Sequence, residues 1–314
     1  MTASARQAAA ALPIGPGVYR FTDGRNVTLY VGRAVNLRRR VASYWGDLGD
    51  RAHLAAMVGR IRAIEAVSCA SEHEAAWLER NLLERSIPRW NRTAGGQEVE
   101  VCIRLDSSSR SAGLSVVHDR GEPEGNGAAI RYFGPYLGGA RVRLAVAGLN
   151  RIFPLGYAAD HRPGTAAEMA VRRGVNGADR EGLALSLTAV LDRDPAAVTS
   201  LRAQLEGRRA DAARVQAYEL AGRIHAELAG LDWITCPQRV TSLMHEDADV
   251  AGWADGVLVR FEVRAGRLCG WRQQAGTGAQ ARPFLASTPP RWREFGAHNA
   301  ELAARLRQAA RRVP

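Results

Sequence analysis

The segment from residue 17 to residue 44 constrains this chain more than any other. Two short β-branched and aromatic runs, GVYRF at 17–21 and VTLYVG at 27–32, flank a DGRN turn. That pattern predicts a β-hairpin with Gly17-Val18-Tyr19 and Tyr30-Val31-Gly32 on paired strands. From Asn36 the period becomes helical: Leu37, Val41 and Tyr44 share one face, and Arg38, Arg39 and Arg40 fill the turn between them.

The following residues extend the unit. Residues 51–65 read as an amphipathic helix with Leu54, Met57, Val58, Ile61 and Ile64 inward, and AVSCA at 66–70 as a short strand. Ser71 and Glu74 form a capping-box pattern ahead of EHEAAWLERNLLERS, which Pro88 ends. The expectation is a β-β-α-α-β-α unit closing near Asn91. Beyond it, VEVCIRL and GLSVVHD read as strands, EPEGNG as a turn, and IRYFGPYLGG as the approach to a helix over ARVRLAVAGLNRIFPL. Residues 156–198 read as part helix and part linker, 200–231 as a helix pair, 249–272 as strands with an Ala-Gly turn, and the end as a basic helix.

At 314 residues the chain has room for two or three compact units. Its formal net charge of +11 suits a polyanionic partner such as nucleic acid. All 43 basic residues are arginine, a bias that a GC-rich genome explains, so no arginine is special merely for not being lysine. Cys69, Cys102, Cys236 and Cys269 are scattered without ligand spacing and read as buried free thiols. The seven histidines are equally dispersed. No run is apolar enough for a membrane span, and the alanine-rich start is poorly flanked for a signal peptide. A cytoplasmic protein is expected.

Singly, GVY and YVG are weak signals, and each tyrosine could simply pack a hairpin. As an ordered set, LPIGPGVYRF, LYVGRAVNLRRRVASYW, SEHEAAWLERNLLERSIPRWN, RYFGPY and LNRIFPL resemble the GIY-YIG nucleases, specifically the first half of the excision-repair UvrC proteins and their shorter Cho relatives, over residues 12–155. The resemblance implies an α+β fold. A small GIY-YIG domain at 12–94, a short mixed sheet flanked by helices, precedes a β-rich extension at 95–155. A helical linker at 156–235 with a UVR-like hairpin follows, and then a C-terminal α/β region at 236–314.

It also implies chemistry. Phosphodiester hydrolysis needs an activated water, charge neutralisation at phosphorus and help for the leaving oxygen. Glu79 matches the family's single metal-binding carboxylate, which suits one hydrated Mg²⁺ or Mn²⁺. Arg40 matches the arginine facing the phosphate. Tyr30 matches a general base or water-orienting residue, although a phenol's pKa near 10 is high for a base. Tyr19 and Tyr44 match supporting tyrosines. Asn91, Gly17 and Gly32, with Arg33, Arg38 and Arg39, match the surroundings that approach phosphate. Arg33 departs from the family's usual lysine; it keeps the charge but does not release a proton.

The second half is less specific. FPLGYAADHRPGTAAEM carries no cysteine where the family has a cysteine-rich segment, so no metal cluster is expected there. Residues 200–235, notably Tyr218, Glu219, Ala221 and Arg223, resemble the hairpin that docks on UvrB, although alanine-rich helix pairs are common. Strands at 249–272 resemble the opening of an RNase H-type domain without its acidic residues, so one cut by one centre is expected. The leading reading is a metal-dependent endonuclease making a 3′-side nick in excision repair. Its rivals are a catalytically weak DNA- or UvrB-binding adaptor, and a GIY-YIG nuclease acting on branched or foreign DNA.

Overall fold

The computed structural model describes residues 2–46, 53–92, 98–118, 129–161 and 164–311. Helix α1 (Thr2–Ala10) leads into the hairpin β1 (Gly17–Thr22) and β2 (Thr28–Ala34). Helix α2 (Leu37–Ala42) follows, opened by the Asn36 side chain, which accepts from the Arg39 N–H, and a 3-10 turn at Ser43–Trp45 continues it. The helix expected over 51–65 shrinks to α3 (Ala55–Val58). Ile64 belongs instead to strand β3 (Ala63–Ser68), where it is still buried. Its inward spacing fitted both periods, and pairing with β1 decided between them. Helix α4 (Glu72–Arg85) then completes the expected order.

The sheet runs β2-β1-β3 and is antiparallel at both junctions, not mixed. Ser71 caps α4 through the Glu74 N–H, as the pattern requires. Glu74 does not complete the box at Ser71: its buried carboxylate accepts from the Ala70 N–H at 2.5 Å and the Arg239 N–H at 2.9 Å.

Strands β4 (Glu100–Asp106), β5 (Gly113–Val117) and β6 (Ile130–Leu137) form a second antiparallel sheet in the order β5-β4-β6. RYFGPY thus lies wholly within β6, while the EPEGNG turn lies outside the described residues. Helices α5 (Gly139–Ile152), α6 (Thr165–Arg173), α7 (Arg180–Leu191), α8 (Pro195–Arg214) and α9 (Tyr218–Thr235) follow. The last two form the expected helix pair. Gly230 of α9 permits close packing on α5, since a Cβ there would lie 2.6 Å from the Ala145 nitrogen.

Strands β7 (Ala248–Ala254), β8 (Val257–Arg264) and β9 (Arg267–Ala275) make a third antiparallel meander, succeeded by α10 (Gly278–Ser287) and α11 (Pro290–Arg311). Contacts group the chain into two compact units, Met1–Gln97 with Pro237–Pro314, and Glu98–Cys236. In the first unit α11 lays Leu302 and Leu306 into the core formed by Leu12, Tyr19, Phe21, Leu37 and Val41. The Asn299 amide pairs with the outer edge of β3, accepting from the Ser68 N–H at 2.8 Å. Cys69 and Cys102 are buried thiols as expected, but Cys236 and Cys269 are half-buried. Among the described residues no helix is long and apolar enough to cross a membrane.

Candidate active site

Strand alternation explains why the aromatic residues converge. Tyr19 lies opposite Gly32 and Phe21 opposite Tyr30, so Tyr19, Phe21 and Tyr30 project from the same sheet face, on which Gly32 leaves a gap. Helix α2 and the turn after it bring Tyr44 onto that face. Its ring centroid lies 6.0 Å from Tyr19, 6.1 Å from Tyr30 and 4.9 Å from Phe21. The Tyr19 and Tyr44 hydroxyls share a hydrogen bond of 2.8 Å. Arg40, one turn before Tyr44, donates from Nε to the Tyr19 oxygen at 3.4 Å and stands 5.6 Å from the Tyr44 ring centre.

Two glycines make this packing possible. A Cβ on Gly32 would lie 2.6 Å from the Tyr19 hydroxyl and 2.7 Å from Tyr30 Cε1. On Gly17 it would meet the Val67 carbonyl at 2.4 Å and Leu37 Cδ1 at 2.6 Å. Gly32 therefore makes room for the tyrosines, whereas Gly17 lets β1, β3 and α2 close up.

Glu79 projects from α4 toward the end of β2. Its Oε1 accepts from the Arg33 N–H at 3.1 Å, and its Oε2 lies 3.3 Å from Arg33 Nε. Asn91 sits on the outer edge of β2, where its side-chain oxygen accepts from the Val31 N–H at 3.0 Å and its amide donates to the Val31 carbonyl at 2.8 Å. The amide thus substitutes for a fourth strand between Tyr30 and Gly32. Arg38 donates to the Leu12 carbonyl at 2.7 Å, while the Arg39 side chain is exposed.

Burial sets the ionisation of the cluster. It pushes the Tyr30 phenol well above its ordinary value, and Tyr44 and the Glu79 charge push it further. Tyr19 is raised in the same way by burial and by its tyrosine neighbours. Both are therefore neutral phenols at physiological pH, suited to giving and accepting hydrogen bonds. For Arg40, burial pulls the guanidinium down, but the Tyr19 and Tyr44 oxygens outweigh it and the net shift is upward. A fixed cation beside neutral hydroxyls, with a carboxylate nearby, can stabilise charge on a phosphate and orient water.

Three further residues support the site: Phe21, Glu74 through its long-range bond to Arg239, and Asn299. Phe21 was visible as an aromatic two positions after Tyr19. The backbone bonds of Glu74 and Asn299 join segments 165 and 231 residues apart, and no local signal marks them.

Residues 15–92 match the family model of the UvrC-like GIY-YIG domain. The UvrABC system protein C of Anaeromyxobacter sp. (strain Fw109-5) is 31% identical over 284 residues, an alignment covering 85% of this chain and 39% of that protein. The Geobacter metallireducens protein of the same name is 36% identical over 145 residues, 46% of this chain and 23% of that one. The chain thus spans well under half the length of these curated relatives. The magnesium-bound N-terminal GIY-YIG endonuclease domain of UvrC from Thermotoga maritima is 30% identical and covers 28% of this chain and 94% of its own, with a TM-score of 0.26.

Proposed function

We propose that this chain, carrying a UvrC-like GIY-YIG domain at residues 15–92, is a metal-dependent endonuclease that nicks one DNA strand in nucleotide excision repair. The observation that carries this reading is the convergence of Tyr19, Tyr30, Tyr44 and Arg40 on one sheet face, with Glu79 close enough to disfavour ionisation of Tyr30.

Glu79 would hold one Mg²⁺ or Mn²⁺. Its Oε1 and Oε2 both face Arg33, and an ionised carboxylate is an acceptor through both oxygens, as a divalent cation requires. No group of three or more His, Cys, Asp or Glu side chains that could hold a metal occurs among the described residues. A single carboxylate fits an ion such as Mg²⁺ that keeps several of its waters. When bound, the ion supplies positive charge to the reacting phosphate. Arg40 neutralises the negative charge that builds up on the non-bridging oxygens. Tyr30, kept protonated, orients the attacking water rather than serving as a phenolate base. Tyr19 and Tyr44 lock Arg40 in its direction, and Asn91 holds β2 so that Tyr30 keeps its place.

The hairpin of α8 and α9 exposes Val215, Tyr218 and Leu220 around its connection, which supports docking to UvrB through residues 200–235. One observation favours the adaptor reading: Arg33 contacts both Glu79 oxygens, as a competitor for a metal would. Incubation of the chain with Mg²⁺ or Mn²⁺ and a lesion-bearing duplex, with and without UvrB, tests the proposal. A nick that requires both metal and Glu79 supports it. Binding without cleavage by the wild type favours the adaptor, and cleavage indifferent to UvrB favours a role outside excision repair.

A further inference from the structure

Strands β8 and β9 carry a local excess of arginine over the carboxylates beside it, Glu262 and Asp249. Arg260 lies directly opposite Arg272 across the two strands, and both are exposed. Like charges at such a position destabilise a sheet. The neighbouring carboxylates are engaged elsewhere: Glu262 pairs with Arg85 and Arg264, and Asp249 with Arg264. Arg260 leans over the Phe284 ring at 4.2 Å, and neither Arg260 nor Arg272 forms an ion pair among the described residues.

A cavity of about 540 Å³ opens beside this pair, lined also by Arg20, Thr28, Val31, Arg85 and Trp271. Arg20 is fixed by Glu65 at 2.5 Å and by stacking 4.3 Å over Trp271. Because Arg20 and Val31 are cross-strand partners, the cavity backs onto the same strand that carries Tyr30, on the opposite sheet face. The arrangement offers several guanidinium forks along one groove, which fits a ligand bearing negative charges at regular spacing.

We infer that the Arg260–Arg272 face and the cavity beside it bind the phosphodiester backbone of the DNA on which the GIY-YIG site acts. The inference rests on the nuclease reading for the identity of the polyanion. It gives the C-terminal strands a role: they hold substrate outside the catalytic face.

The test is fluorescence anisotropy of a fluorescein-labelled DNA duplex with the full chain in EDTA, across a salt series. For Arg260→Gln/Arg272→Gln, the expected result is a loss of about tenfold or more in affinity at low salt and a reduction of about two in the salt slope. The melting temperature should be unchanged or higher, because the repulsion is relieved. Arg172→Gln/Arg208→Gln, which removes the same charge from the other unit, should shift affinity much less; an equal loss would mean diffuse attraction and overturn the inference. If the double variant does not fold, Arg272→Glu, which creates an opposite-charge cross-strand pair, must show the same loss of binding. Wild-type affinity and slope in a folded variant would overturn the inference even if nicking persists. Wild-type binding without nicking under any metal, with the same loss in the variant, would leave this site standing while the nuclease reading falls.

Discussion

Replacing Gly32 with alanine tests whether the tyrosine cluster is a fitted assembly. The new methyl group would sit 2.6 Å from the Tyr19 hydroxyl and 2.7 Å from Tyr30 Cε1, each roughly 0.8 Å short of ordinary contact. Tyr19 cannot yield easily. It is fully buried and tied to Tyr44 at 2.8 Å. Overpacking of this kind costs about 1–3 kcal/mol, and breaking the Tyr19–Tyr44 bond adds about 1 kcal/mol. Displacements near 1 Å in a catalytic constellation can slow turnover by roughly 100-fold. Urea denaturation should therefore place the variant about 2–4 kcal/mol below wild type, and nicking of a labelled duplex should fall by at least about tenfold at a temperature where the variant remains folded. Gly207→Ala is the control: it lies in α8 with open space around its would-be Cβ and should stabilise by about 0.5–1 kcal/mol. Unchanged stability and full nicking by Gly32→Ala would refute the account of the cluster.

Three further outcomes follow from the same contacts. Asn299→Ala leaves the Ser68 N–H without its acceptor on the edge of β3, and denaturant titration should show a loss of about 1–3 kcal/mol. Burial raises the Glu74 carboxyl above its ordinary value, so its folded-state pKa exceeds its unfolded one. Its contribution is full below about pH 4 and is lost as pH rises through the folded value; the stability difference between wild type and Glu74→Gln should move against wild type over that rise, and a difference that is flat with pH counts against the assignment. Tyr30→Phe should lower the nicking rate without reshaping the pH–rate profile between about pH 6 and 10, since the phenol stays protonated there; loss of an alkaline rise in that range would instead identify a phenolate base.

Much of the candidate site was legible because its determinants are local. The hairpin pairing of Tyr19 with Gly32, the helix carrying Arg40 and Tyr44 on successive turns, and Ser71 opening the helix of Glu79 all follow from periods of two and 3.6 over short spans. Local pattern is ambiguous where two periods agree. Ile64 satisfied a helix and a strand alike, and only its pairing opposite Phe21 settled the matter.

The sequence by itself determined the kind of chemistry available: the residue types, their order and the local elements that carry them. Tertiary structure decided what those residues do to one another. It set Asn91 against Val31, Arg33 against Glu79 and Asn299 against Ser68, contacts whose partners lie 46 to 231 residues apart. It also decided the register of the last hairpin. An irregularity between Glu262 and Val263 shifts the pairing by one residue and sets Arg260 opposite Arg272, where a regular ladder continued from Arg264 and Arg267 would have met Trp271. Such an offset depends on packing across whole sheets, and no short window of sequence encodes it.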